Sequence, residues 1–408
     1  MINHGKATHS VVDGIRDMAG AGLHSDALFA QLGDVLGGAV GADASCWHTA
    51  DPVTGFPTST RSYGLDLRSL PTAIRIELRA DEVLTSARLR ADGRTVDTLH
   101  RATHGRPERS HRYRRLLAVH GFGDELRINF DAFGGRWGTA VLLRGQDRPP
   151  FTDKEVRLVE RCAREIASAL RTSYRPDGET DPSQRPALVI LGPMNQPVGA
   201  DRRGEELLAA LCDAVERPVP VRNRPEDRPP GVGVDAAHVA PDGTVRVLAS
   251  PAPAATALQM LAQLARTAPD QSAYTRVLVP RRGWLMLYAS LLDGRPDGRV
   301  SVVASAALPG QLTPLRLMLW GLTRREQEVV KEMLRGSSTR GIAETLSVAP
   351  GTVQDHLTAA FDKVGVRSRR ELSALLTAPD PGEGGSTAQT GEAARHRSAT
   401  GRPLSTGG

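Results

Sequence analysis

Apolar residues recur along the chain in three distinct blocks. In the first, Leu28, Phe29, Leu32, Val35, Leu36 and Val40 follow Ser25 at helical spacing. Further on, Leu126, Ile128 and Phe130 alternate with polar residues and predict a half-buried strand. Gly134-Gly135 then turns the chain into Trp137, Thr139, Val141 and Leu143, completing a hairpin. Thr152 and Glu155 form a capping box that opens a helix with Val156, Val159, Ala163, Ile166 and Leu170 on one face. Its 3, 4, 3, 4 spacing suits a seam between two copies as well as packing on its own sheet.

The second block starts with the apolar run 187–191 and a turn over 192–197, then a helix over about 205–215. Strand-like runs at 276–280, 284–292 and 299–304 close it. The third block, 321–376, predicts four short helices. Thr323 with Glu326 caps the first, and Val329, Val330, Met333 and Leu334 form its apolar side before Gly336. Ser338 caps a second carrying Ile342, Ala343 and Leu346. After Ser347-Val348-Ala349, Pro350 opens a third with Val353, Leu357, Phe361 and Val364 inward. Ser368 with Glu371 caps the fourth, which carries Leu372 and Leu375.

These blocks give the boundaries. Residues 1–10 read as a flexible start and 11–174 as the first unit. A linker at 175–185 leads to the second unit at 186–310, which contains a proline-rich loop at 218–231. A connector at 311–320, the helical unit at 321–376 and a disordered tail at 377–408 follow. The tail holds too little apolar surface to order itself.

Composition narrows the classes. No uncharged apolar stretch of about 18 residues occurs, and Met1 to Lys6 has no leader-like run, so a cytoplasmic chain with no membrane partner is expected. Cys46, Cys162 and Cys212 lack paired spacing, which argues against a disulfide frame or a zinc site. The net charge of +6 permits a polyanionic partner. Lysine stands only at 6, 154, 331 and 363 among 52 basic positions, so the arginine excess reads as compositional bias. Cys46 and His48 share a strand face, but a thiol there is usually a small hydrophobe. The stretch 88–115, with His100, His104 and His111, reads as a solvated basic face; no carboxylate or thiol completes a metal set. No enzyme, metal or cofactor is expected.

Two helices joined by a tight turn, the second polar on its outer side, make a helix-turn-helix, whose second helix enters a DNA major groove about 12 Å wide. Gln354, Asp355 and Thr358 occupy that outer side. Gln can bond adenine bidentately, Asp can accept from cytosine, and Thr offers a hydroxyl and a methyl. Segment 321–376 closely resembles the DNA-binding domain of the LuxR/FixJ family of bacterial transcription factors. The resemblance rests on Leu322-Thr323, Arg325-Glu326, Glu328-Val329, Gly336, Ser338, Ile342-Ala343, Leu346, Thr352-Val353, His356-Leu357, Lys363, Gly365-Val366, Arg369 and Glu371-Leu372. It implies Gln354, Asp355 and Thr358 as base-facing positions, and Thr352, His356, Arg340 and Arg369 as phosphate-side contacts. Gln354 departs from the usual lysine, Ala349 from the usual serine cap, and Gly341 from a common glutamate.

The first unit is similar to a GAF domain, a six-stranded sensory fold, and the second to a degenerate PAS domain. The fold class is therefore multidomain α+β: GAF-like and PAS-like α/β sensory domains before an all-α four-helix helix-turn-helix. No phosphate-binding G-x-x-x-x-G-K-[ST], receiver pocket or acyl-homoserine-lactone set accompanies them. Segment 321–376 holds nine basic and seven acidic residues, so one module binds DNA modestly and a homodimer on two half-sites is expected. Double-stranded DNA and RNA polymerase are the implied partners, with a small effector in the GAF-like domain. The alternative is a ligand-binding hub or a polymerase-associated factor with weak or assisted DNA binding.

Overall fold

A computed structural model describes residues 4–65, 69–174, 185–213, 238–239, 245–246, 253–279, 282–292 and 294–377. The linker at 175–184, the loop at 218–231 and the tail from 378 lie outside these residues.

The chain builds two antiparallel sheets and a C-terminal helical bundle. The first unit runs α1 (His4–Gly20), α2 (Ser25–Leu32), α3 (Gly38–Val40), β1 (Ala44–Ala50), β2 (Pro57–Tyr63), α4 (Leu70–Glu77), α5 (Ser86–Ala91), β3 (Val96–Thr98), α6 (Leu99–Ala102), β4 (Phe122–Ala132), β5 (Gly135–Gly145) and α7 (Asp153–Ser173). Its strand order is β2-β1-β5-β4-β3. Five strands stand among the described residues where the resemblance implies six, because residues 70–120 form short helices around β3. Helix α1 begins at His4, inside the stretch expected to be loose.

The capping box opens α7 as read: Thr152 N–H donates to Glu155 Oε2 at 2.7 Å. Val156, Val159, Ala163, Ile166 and Leu170 are all buried in the first core with Trp47, Leu126, Ile128, Phe130 and Trp137. The dimer seam suggested by their spacing is thereby corrected, since that face is consumed by the helix's own sheet and α1.

Strand β4 is buried on both faces, not one. Its polar positions point into a second layer under α4 and α5. There Arg127 Nη1 donates to Glu77 Oε2 at 2.7 Å and its Nε to Glu125 Oε1 at 2.8 Å. Arg112 Nη2 reaches the same Glu77 oxygen at 2.6 Å. Arg112 is thus buried in a neutral cluster of two arginines and two glutamates rather than solvated on a basic face. Burial raises the Glu77 carboxyl, but Arg127 and Arg112 outweigh it and hold the group below its usual range.

Cys46 and His48 share this layer. Burial pushes the Cys46 thiol up to about 12. Burial and the Arg127 charge lower the His48 imidazole to about 4, with Nδ1 2.9 Å from Thr60 Oγ1. Both groups are therefore neutral near pH 7 and make a poor nucleophile–base pair. His48 supplies a pH prediction. The unfolded ring takes its proton near the ordinary 6.5, the folded ring only near 4, so stability is full above 6.5 and is lost as pH falls. Between pH 6.5 and 5, above the carboxylate range, unfolding free energy measured by denaturant should fall by about 1–2 kcal/mol. His48→Gln should flatten that slope.

The second unit comprises β6 (Ala187–Leu191), β7 (Pro197–Ala200), α8 (Arg202–Asp213), the two-residue strands β8 (His238–Val239) and β9 (Val245–Arg246), α9 (Pro253–Thr267), β10 (Ser272–Val279), β11 (Gly283–Leu291) and β12 (Val300–Ala306). Strands order as β10-β11-β12-β6-β7, with α8 and α9 packed on one face. The two sheets are joined through buried polar contacts. The Asp51 carboxylate accepts from Arg276 N and Nη1, both at 3.1 Å, and Thr256 Oγ1 lies 3.1 Å from Thr60 Oγ1. Tyr174 stacks on Trp284 at 5.7 Å between ring centroids.

The expected connector is a helix, α10 (Pro309–Leu319). Leu312, Leu315 and Met318 enter the first core, Leu317 enters the C-terminal core, and Arg276 Nε donates to Gln311 O at 2.8 Å. It therefore touches all three units. Among the described residues no helix is long and apolar enough to cross a membrane.

Candidate DNA-binding site

Four helices follow: α11 (Arg324–Leu334), α12 (Thr339–Leu346), α13 (Pro350–Val364) and α14 (Arg369–Thr377). Thr323 N–H donates to Glu326 Oε2 at 2.7 Å, closing the predicted box at α11. Ser338 Oγ accepts from Gly341 N–H at 3.1 Å to start α12. Ser347, at φ 54°, turns the chain toward α13. Ala349 gives α13 no side-chain cap, leaving Pro350 to spare one unpaired donor. Gly365, at φ 81°, ends α13 with its N–H on Phe361 O at 2.8 Å.

Val353, Leu357 and Ala360 bury one side of α13 against Val329, Val330 and Ile342. In α14 Leu372 and Leu376 fill the core, whereas Leu375, read as inward, is 40% exposed. Leu372 thus packs as the sequence suggests, while Leu376 takes the inward place read for Leu375.

Glu326 does more than cap. Lys363 Nζ donates to Glu326 Oε1 at 2.8 Å and Oε2 at 2.6 Å, tying the end of α13 to the start of α11. Burial raises the Glu326 carboxyl, but Lys363 and the Thr323 N–H outweigh it and hold it low. The sequence marks Glu326 as a cap and Lys363 as part of the family resemblance, but their separation of 37 positions leaves no local signal that the two meet. Lys363→Ala should cost about 1–2 kcal/mol, because Lys363 is partly exposed while its partner is buried. Thermal melting of the full chain followed by circular dichroism checks this.

On the opposite side of α13, Gln354, Asp355 and Thr358 are exposed at i, i+1 and i+4. Thr358 Oγ1 donates to Gln354 O at 3.0 Å within the helix. Thr352 is exposed in the first turn and His356 is half-buried beside it. Arg340 is exposed on α12 and lies 3.2 Å from Glu344. Arg369 is engaged inside the bundle: Nη2 donates to Thr339 Oγ1 at 2.7 Å and Nη1 to Ser337 O at 3.3 Å. It joins the start of α14 to the start of α12. Among the other basic side chains, Arg324 and Arg325 pair with Glu328 and Arg335 with Glu332.

Besides Leu317, two sets of hydrogen bonds tie the bundle to the preceding units. Arg316 of α10 donates to the α14 carbonyls of Leu375 and Leu376 at 3.4 and 3.0 Å. Gln327 of α11 donates to Phe133 O at 2.8 Å, at the turn between β4 and β5. That turn, Phe133-Gly134, has φ 52° and 79° and presents the Phe133 ring under Arg171, 4.6 Å away.

A family model described as bacterial regulatory proteins, luxR family (GerE), matches residues 321–376. An HTH-type transcriptional regulator of Mycobacterium bovis is 46% identical over 54 residues, 13% of this chain and 6% of that protein. The chain thus spans a small fraction of that relative. Spore germination protein GerE of Bacillus subtilis is 36% identical over 50 residues, 12% of this chain and 68% of that protein. A solved structure of a phage VqmA–DPO complex is 19% identical, covering 49% of this chain and 86% of that chain, with a TM-score of 0.24 too low to bear on the fold. Through its C-terminal helix-turn-helix the chain belongs to the luxR family of bacterial regulatory proteins, a family of DNA-binding transcriptional regulators.

Proposed function

We propose that this chain is a sequence-specific regulator that acts in the cytoplasm as a homodimer, each copy placing α13 in one major-groove half-site of double-stranded DNA. The observation that carries the reading is the exposed row Gln354, Asp355 and Thr358, set opposite the packed side of α13. These three read base edges, Thr352, His356 and Arg340 approach phosphates, and Arg369 acts from inside by orienting α12. The first unit is GAF-like and the second PAS-like; a small ligand or a protein signal shifts them between two arrangements, and α10 passes that shift to the bundle. RNA polymerase is the partner through which a bound regulator changes initiation.

Binding of genomic fragments by the full chain and by Gln354→Ala tests this. Selective capture of a fragment set with paired half-sites, lost or altered in the variant, is the expected result. Capture without fragment preference and indifferent to Gln354 would overturn sequence-specific reading.

A further inference from the structure

The second sheet has one face packed on α8 and α9 and another that is only partly covered. On this outer face Tyr274 pairs with Tyr288, Tyr288 with Val303, and Val303 with Leu188. The four side chains form one row across β10, β11, β12 and β6, exposed by 49%, 39%, 37% and 37%. The next row along the strands is Ser272, Ser290, Ser301 and Ile190. Across these four strands neither row contains a charged residue, in a chain that is 24% charged, and Asp201, whose N–H donates to Leu188 O at 3.1 Å, bounds the first row on the β7 side. In the opposite direction the face passes under α10 and the first unit, where Arg276, Met286 and Trp284 are buried. The exposed stripe therefore begins where the intramolecular interface ends.

We infer that a second copy of this chain covers this stripe, the two rows meeting about a two-fold axis. This rests on the proposed homodimer and names its surface. The stripe's chemistry selects the occupant. DNA needs cations, and the two rows have none. Residues 378–408 contain Leu404 as their one large aliphatic or aromatic side chain, too few to fill the row. A neutral patch meets its own copy without a charge penalty, which a two-fold contact requires because both sides are the same surface. An apolar, tyrosine-bearing centre with a serine rim has the anatomy of an interface core. Spanning four strands, the row is about 15 Å wide. Leu308, at the start of α10, is a further exposed apolar side chain at 64%. The stripe is also continuous with the helix that holds the DNA-binding bundle: Gln311 Nε2 donates to Tyr288 OH at 2.6 Å. A copy seated on Tyr288 thus bears on α10, and through Arg316 on α14.

Sedimentation velocity on the full chain, with Val303→Arg, Leu188→Arg and the control Val119→Arg, tests the surface, with a DNA footprint as second readout. Val119 is 71% exposed on the first unit. The wild-type chain should sediment as a dimer, and each stripe variant should weaken association about 100-fold or more, through like charges facing each other. The control should leave it unchanged, and unaltered melting curves show that the variants fold. Tyr274→Ser provides an uncharged second test on another strand. If the wild type dimerises only on DNA, loss of half-site pairing in the stripe variants supports the surface equally. A dimer indifferent to all three stripe substitutions overturns this surface while leaving the homodimer intact. A monomer with a single half-site footprint overturns both.

Discussion

Arg127→Ala should remove about 3–5 kcal/mol of stability from the first unit. Arg127 is the centre of the buried cluster, bonded to Glu77 and Glu125 at once, and only Arg112 remains to face both carboxylates after its loss. A buried carboxylate without its cation carries its full desolvation penalty, which outweighs the side-chain volume removed. Since whole domains are stable by only about 5–15 kcal/mol, the variant should unfold at much lower denaturant. Arg127→Lys should rescue only part, because one ammonium cannot reproduce the fork that spans two glutamates. Denaturant unfolding at neutral pH reads the effect. A loss under about 1 kcal/mol would mean that water, not Arg127, solvates the two carboxylates.

Arg316→Ala should loosen the DNA-binding bundle from the two preceding units. The guanidinium is buried and caps two carbonyls at the end of α14, where the helix dipole is negative. Removing two charge-assisted bonds costs about 2–4 kcal/mol. The cost should fall on the C-terminal helices, as a separate earlier step in thermal melting, with weaker DNA binding in parallel. Unchanged melting together with unchanged DNA binding would deny α10 its role in holding α14.

Much of the bundle was legible because its signals are local. Caps at Thr323 and Ser338, Pro350 at the start of α13 and Gly365 at its end each act within one turn. The inward residues of α13 recur at the helical period. Helix α7 was equally plain, though its spacing could not say whether a sheet or a second copy would cover it. What escaped depended on residues far apart in sequence. Lys363 meets Glu326, and Arg276 meets Asp51 across 225 positions. Helix α10 was hidden for another reason. It is enclosed by three units, so its apolar residues do not fall on one stripe, and Pro309, Gly310 and Pro314 read as a breaker. Strand β4 alternated as a half-buried strand should, yet its polar side is covered, and Asp124, Glu125, Arg127 and Asn129 are as buried as its apolar side. Among the candidate contacts, Arg369 is the one whose placement changes its meaning. Its guanidinium is bonded within the bundle to Thr339 and Ser337, which fits the proposed role of positioning α12 better than direct phosphate contact.

The most direct measurement is the ratio of affinities for a captured site and for unrelated DNA, taken over a salt series for wild type, Gln354→Ala and Thr352→Ala. If α13 reads bases, Gln354→Ala should lower the ratio by about 1–3 kcal/mol, roughly 5- to 150-fold. Thr352→Ala should weaken both affinities together and leave the ratio in place. A ratio near one in the wild type, or one that Gln354→Ala leaves untouched, would contradict the account.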